Sequence, residues 1–124
     1  MAGLSDYAAN KILDKLLRNT DFTVADQHIS LHTADPGVSG GSEVTGGSYG
    51  RQNATFATAA SRATTTTALL EWLNMPGVTV THVGIWDAAT AGNFIWGGAL
   101  AASKTVNAGD TFQLPTGDLD ATLP

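Results

Sequence analysis

The sequence predicts a mainly β fold, an antiparallel β-sandwich or jelly-roll-like domain with one amphipathic helix at its N-terminus. Apolar residues recur at helical spacing only near the start of the chain. From residue 28 onward, short runs alternate between apolar and polar residues, and Gly, Pro and Asp turns separate these runs. The 124 residues, of which 43% are hydrophobic, suit a single domain over 1–124 with a core of its own.

The first segment predicts a helix over 3–19. Ser5 is a residue type that caps helix N-termini, and Asp6 suits the positive end of the helix dipole. A helix of this length is marginal alone in water, so its apolar stripe must pack against the sandwich or against a partner. The stripe consists of Leu4, Ala8, Ile12 and Leu16, widened by Leu13 and Leu17.

The remainder of the chain, 28–124, predicts the strands of the sandwich. Alternation is strongest over 78–86, and 87–93 predicts a hairpin loop. A short helix is the alternative for 64–73. The predicted strands are 29–33, 51–56, 64–73, 78–86, 94–100, 102–106 and 119–123. Strict alternation over 78–86 predicts one face of Val78, Val80, His82, Gly84 and Trp86, and another of Thr79, Thr81, Val83 and Ile85.

A long Gly-rich loop is predicted over 34–50. The turn signal Asp35-Pro36-Gly37 opens it, and six glycines fall within 37–50. Such a composition predicts a mobile loop, or one that becomes ordered only against a neighbouring protein in an assembly.

Composition excludes several classes of protein. The chain has no Cys, which removes disulfides, Cys-based zinc sites and thiol nucleophiles. A formal charge of −5 argues against a nucleic-acid partner, because binding to phosphates needs clustered cations. No apolar run approaches the roughly 18 residues of a membrane span, and the N-terminus lacks the pattern of a signal peptide. We therefore expect a soluble protein made in the cytoplasm, with no membrane partner.

The sequence contains no recognisable catalytic or metal motif. His28 and His32 would share a strand face about 13 Å apart, too far to hold one metal ion together. A cation bound at the acidic turns is the alternative, although turn capping explains those residues more simply. No Gly-x-Ser-x-Gly elbow and no Gly-Lys-Ser or Gly-Lys-Thr loop is present. We expect no enzyme activity, no cofactor and no metal. The acidic turn residues are Asp35, Glu43, Asp110, Asp118 and Asp120.

Aromatic and loop residues are the remaining candidates for function. Trp86 is expected in the core, whereas Trp72 and Trp96 are candidates for an exposed contact with a partner or a sugar ring. Tyr49 and Arg51, at the end of the Gly-rich loop, are residue types that often anchor interfaces. Ordinary strand-edge roles are the alternative for both. The candidate interface residues are Tyr7, Gly46, Gly47, Tyr49, Arg51, Trp72 and Trp96.

Several segments resemble a family of small virion structural proteins of tailed bacteriophages. Gly50 departs from the pattern, because the family usually has Ala before the Arg. The matching segments keep their order along nearly the whole chain. They are LSDYAANKILD at 4–14, ISLHTADPG at 29–37, EVTGGSYGR at 43–51, VTVTHVGIWDAATAGN at 78–93, SKTVNAGDT at 103–111 and TGDL at 116–119.

The resemblance implies a structural role in the virion and no catalysis. It leaves the location open, since such proteins are described both as head and as tail fibre proteins. The small, acidic, repeat-free chain favours a capsid decoration or cement protein. Such a protein binds the major capsid protein, or copies of itself, and a trimer is one arrangement of those copies. The alternatives are a tail fibre, tail-tip or baseplate component that binds a host surface glycan, and a lone carbohydrate-binding module. If the protein is a capsid decoration protein, we expect the Gly-rich loop and the N-terminal helix to form its contacts with the capsid.

Overall fold

The computed structural model describes residues 3–123. The mainly β class is confirmed, with antiparallel sheets and one helix near the N-terminus. Among the described residues the elements are β1 (Gly3–Leu4), α1 (Asp6–Arg18), β2 (His28–His32), β3 (Gln52–Asn53), β4 (Ala63–Thr65), β5 (Leu70–Trp72), β6 (Val78–Trp86), β7 (Phe94–Val106), β8 (Phe112–Leu114) and β9 (Asp120–Thr122).

One five-stranded sheet forms the centre of the fold, in the order β1-β7-β6-β2-β3. Two further layers are two-stranded ribbons, β4-β9 and β5-β8, in place of a second broad sheet. The sheet and the ribbon β5-β8 share one core, in which Trp72 and Phe112 meet edge to face with their ring centroids 5.7 Å apart. The sheet contributes Ile29, Leu31, Val80, Val83, Ile85 and Trp96 to this core, and the ribbon contributes Leu70, Trp72, Phe112 and Leu114.

The helix begins where its cap predicts. The Ala8 N–H donates to Ser5 Oγ at 3.0 Å, and Asn19 ends the helix in the left-handed conformation, with φ 53°. The Ser5 N–H also donates to the Ile95 carbonyl at 2.8 Å, which ties the start of the helix to β7. The prediction that the helix starts at residue 3 is wrong, because β1 pairs with β7 there. Helix α1 has 13 residues and is too short to cross a membrane, and residues 3–123 contain no longer helix.

Strand β6 has the predicted bounds, but the predicted alternation of its faces is wrong. Its register with β7 shifts between Val80 and His82. Val80 lies opposite Lys104 and His82 lies opposite Ala99, so the extra residues of this irregularity are in β7. The strict alternation of β6 is lost here, because Val80 and Val83 both lie in the core although the alternation predicts opposite faces for them.

Three other strand predictions need correction, and one strand was missed. The run 64–73 is not one strand or a helix; it divides into β4 and β5, which pair with different partners. The runs 94–100 and 102–106 are a single strand, β7, although its pairing with β6 lapses between Ala99 and Lys104. Strand β8 was not predicted, because three residues are too few to show a period. Strand β3 covers only two residues of the predicted 51–56.

Candidate functional site

The first part of the Gly-rich loop, 36–41, packs on the sheet face opposite the core, and the chain then returns to the core at Val44. The Val44 N–H donates to the Leu31 carbonyl at 2.9 Å, and Glu43 forms an isolated bridge with His32. The side chain of Val44 is buried in the core. The prediction of a loop ordered only by a neighbouring protein is therefore wrong, because backbone bonds and burial already fix it within the chain.

A half-buried ion pair clasps the loop to the following strand. Arg51 Nε donates to Glu43 Oε2 at 2.9 Å, and Arg51 Nη2 donates to Glu43 Oε1 at 2.9 Å. Tyr49 Oη donates to Glu43 Oε2 at 2.8 Å and accepts the Leu31 N–H at 3.0 Å. The side chain of Arg51 is 8% exposed and that of Glu43 is 21% exposed. This bidentate geometry is the strong form of an Arg–carboxylate contact.

The same guanidinium also holds the β6–β7 hairpin. Arg51 Nη1 donates to the carbonyls of Ala88 and Ala91, at 3.1 and 2.8 Å. Its Cζ lies 3.7 Å from the ring centroid of Trp86, which is a cation–π contact. Arg51 therefore joins the loop, the hairpin and the sheet, and we define Glu43, Tyr49, Arg51 and Trp86 as the arginine clasp.

Electrostatics agree with the geometry of the clasp. Burial alone raises the pKa of Glu43, but the hydrogen bonds from Arg51 and Tyr49 and the charge of Arg51 outweigh it, so the net pKa is lowered. Burial is also the main reason why the pKa of Tyr49 is raised, with the hydrogen bond to Glu43 adding to it. At neutral pH the clasp therefore contains a carboxylate, a guanidinium and a neutral phenol.

A groove of about 350 Å³ opens beside the clasp, between the loop and the hairpin. It brings together three of the candidate interface residues, Gly46, Tyr49 and Arg51. Gly47 lies in the turn next to it, with φ 54°, and a Cβ there would lie 2.6 Å from the Asn74 carbonyl oxygen. Both oxygens of the carboxylate and most donors of the guanidinium are already used within the chain, so Tyr49 and Arg51 are built into the monomer.

A hydrogen-bonded chain lies under the loop on the same sheet face. His32 Nδ1 lies 2.7 Å from the Gly41 carbonyl, which can only accept, so this nitrogen carries a proton. In neutral His32, Nε2 then accepts from Ser30 Oγ at 2.6 Å, and Ser30 Oγ in turn accepts the Trp86 indole N–H at 2.9 Å. Ser30 and His32 are fully buried, as are Ile29 and Leu31 on the other face. Strand β2 was predicted to be half-buried, yet both of its faces are covered.

Burial lowers the pKa of His32, against the opposing effect of its bond to the Gly41 carbonyl. Glu43 favours the charged form of the ring, whereas Arg51 and His82 disfavour it. No three His, Asp or Glu side chains within residues 3–123 are close enough to share a metal ion.

Neither Trp72 nor Trp96 offers an exposed ring. Trp72 is 1% exposed and Trp96 is 8% exposed, since both pack in the core between the sheet and the ribbons. The Trp96 indole N–H donates to the Thr122 carbonyl at 3.0 Å. The prediction that either ring stacks on a sugar or anchors a partner is therefore wrong for the folded chain. Trp86 is buried as expected, but it lies on the loop side of the sheet.

The outer side of α1 exposes a row of leucines. Leu13, Leu16 and Leu17 are 54%, 72% and 77% exposed, and we call them the leucine face. The sandwich covers the helix mainly near its start, where Ala8 is buried. Tyr7 is not on the leucine face, because it is half-buried and its ring meets Phe22 edge to face.

A second apolar surface lies near the start of α1. Two adjoining depressions, of about 240 and 220 Å³, share the side chains of Thr64, Ile85, Ile95 and Ala121. Arg62 lies at the rim of the first, in the hairpin between Ala60 and β4. We call this surface the sheet groove. Sequence reasoning missed it, because its walls come from strands β4, β6, β7 and β9, which only the tertiary fold brings together.

The comparisons agree with the resemblance found in the sequence. A family model described as podophage GP4 fiber I protein gp80 matches residues 3–122, nearly the whole chain. Comparison with curated proteins finds no match. The protein is thus a phage structural protein and a component of the virion. The chain belongs to the podophage GP4 fiber I protein gp80 family.

Proposed function

We propose that this protein is a non-enzymatic structural component of a podophage fibre, and that it assembles through the leucine face of α1. The exposure of Leu13, Leu16 and Leu17 is the observation that carries the proposal. Contiguous leucines on one helix face form an apolar patch of the kind that marks protein interfaces. The fibre description of the family supports the assignment to a fibre.

A protein partner fits the surface better than a glycan does. Sugar sites usually present an aromatic ring face and free polar groups, whereas Trp72 and Trp96 are buried. In the groove beside the hairpin, Arg51 is already bonded to Glu43 and to two carbonyls. A catalytic role has little support for a similar reason, because Ser30 and His32 are sealed from solvent and bonded to each other.

Capsid decoration is the second candidate. It is favoured by the small acidic chain of 124 residues without internal repeats, since a fibre shaft is usually built from repeats or a coiled coil. In this role the protein would bind the major capsid protein from outside, in many copies. The leucine face would be the contact in either location.

The experiment that separates the two candidates is cryo-EM of the intact particle, with the protein located and its copies counted. A few copies at the tail support the fibre proposal. Hundreds of copies on the shell would overturn it in favour of decoration.

The assembly surface is tested with the triple variant Leu13→Gln, Leu16→Gln, Leu17→Gln. Gln keeps a high helix propensity, so α1 should remain folded while the apolar face is lost. We expect at least about a tenfold loss of incorporation into particles, equivalent to about 1.4 kcal/mol of binding. The matched control is Leu69→Gln with Leu73→Gln, which removes leucines of similar exposure elsewhere on the surface. Equal incorporation of both variants would contradict the proposal.

A further inference from the structure

We propose that the partner of the leucine face is a second copy of this chain, and that the face docks head to tail into the sheet groove of that copy. This inference rests on the proposed role of the leucine face in assembly. It adds the identity of the partner and the surface on it that receives the helix.

The two surfaces have complementary shapes. The leucine face is a convex ridge, with Leu13, Leu16 and Leu17 at the spacing of one helical turn. The sheet groove is concave, and almost all of its exposed lining is apolar. Its two adjoining depressions, of about 240 and 220 Å³, share part of their lining and form one continuous apolar trough that can receive leucine side chains.

Each surface also carries one exposed charge, and the two charges are of opposite sign. At 100° per residue, Asp6 lies about 20° from both Leu13 and Leu17 around the helix axis, so its carboxylate lies on the same side of the helix as the leucine face. Asp6 is exposed. Arg62 is exposed at the rim of the groove. Neither side chain forms an ion pair within residues 3–123.

The conformation of Arg62 supports a role in binding. Ser61 and Arg62 both have positive φ, 52° and 65°, in a tight hairpin where Asn and Gly are the favoured residues. A non-glycine residue held in the left-handed region stores strain, and such strain concentrates at functional sites. The strained turn places the arginine beside the apolar walls of the groove.

The surface area that an interface must bury favours packing of the leucine face into the sheet groove over pairing of the leucine faces of two copies. Stable interfaces bury about 800 Å² on each partner, far more than three leucine side chains can supply. Insertion into the groove adds its exposed walls, among them Ile95 and Leu123. Because the two surfaces differ, the contact is heterologous, and copies can join into a closed ring or an open filament.

The test uses two full-length variants and light scattering after size-exclusion chromatography. The ridge variant is Leu13→Gln, Leu16→Gln, Leu17→Gln. The groove variant is Ala59→Glu with Thr122→Glu, which places two carboxylates on exposed positions that line the groove and leaves the core intact. The charge-matched control is Ala108→Glu with Thr111→Glu, both exposed and outside the groove.

We expect the native chain and the control to self-associate, and each variant alone to lose at least about tenfold in self-affinity. An equimolar mixture of the two variants should form a heterodimer, because the intact ridge of the groove variant meets the intact groove of the ridge variant. Circular dichroism and thermal melts verify that both variants are folded.

Two outcomes would overturn the inference. If the groove variant self-associates like the native chain, the helices pair with each other or with another surface. If the native chain is monomeric, the leucine face has a different partner. In both cases the proposed function stands as long as the ridge variant fails to enter particles, so the two failures are distinguishable.

Discussion

Removing the guanidinium of the arginine clasp should destabilise the fold strongly. In Arg51→Met the aliphatic stem can still cover Trp86, but the Glu43 carboxylate and the carbonyls of Ala88 and Ala91 lose their donor. Breaking one partner of a buried pair costs about 3–5 kcal/mol, because the remaining charge is uncompensated. Glu43 is 21% exposed, so water can solvate part of its carboxylate, which places the expected loss near the lower limit.

The expected loss is thus about 3 kcal/mol in the free energy of unfolding, a large share of the 5–15 kcal/mol typical of a domain. For a chain of this length it corresponds to a fall in Tm of about 10–15 °C. Arg51→Lys keeps the charge but not the planar fork, and we expect it to lose about 2 kcal/mol.

The assay is urea unfolding followed by tryptophan fluorescence, for Arg51→Met, Glu43→Gln and the double variant. If the two side chains act as a pair, the double variant loses less than the sum of the single losses, by at least about 1 kcal/mol. Additive losses, or a loss below about 1 kcal/mol for Arg51→Met, would refute the reasoning.

Three further predictions concern the packing around the loop. The pKa of His32 is lowered in the folded chain, so as the pH falls below the ordinary value of 6.5 the unfolded chain takes up a proton before the folded chain does. The free energy of unfolding should therefore decrease as the pH falls through this range. The pH series of urea midpoints should be flatter for His32→Gln, and parallel series would contradict this. Gly47→Ala should lower the free energy of unfolding by about 2 kcal/mol or more, because the new Cβ would meet the Asn74 carbonyl and φ is positive there. The control Gly50→Ala has open space around it and should lose under about 1 kcal/mol in the same assay. Gly84→Ala should lose about 1–3 kcal/mol, since its Cβ would lie under 3 Å from three side-chain atoms, and an unchanged Tm would exclude that contact.

Features that depend on neighbours in the chain could be predicted from the sequence. The cap at Ser5 needs only its own hydroxyl and the Ala8 N–H, and the helix begins at the next residue. The bounds of β6 follow from nine residues of strand-forming sequence. The mainly β class and the phage resemblance likewise rest on patterns along the chain.

The candidate site could be predicted only in part. The sequence pointed to the segment around Gly46, Tyr49 and Arg51, and the structure places these residues at one groove. It could not show that Glu43 would take up the guanidinium, because the two residues meet only after the loop folds back onto the sheet.

The sequence by itself determined the elements with a strong local signal, namely α1, β2 and β6, and the mainly β class. The tertiary structure alone decided which surfaces those elements present. It covers both faces of β2, interrupts the alternation of β6 where its pairing with β7 shifts, and leaves Leu13, Leu16 and Leu17 exposed on a helix whose stripe should be buried. The physical reason is that periodicity fixes the side of an element on which a residue lies, whereas burial depends on which other segment covers that side.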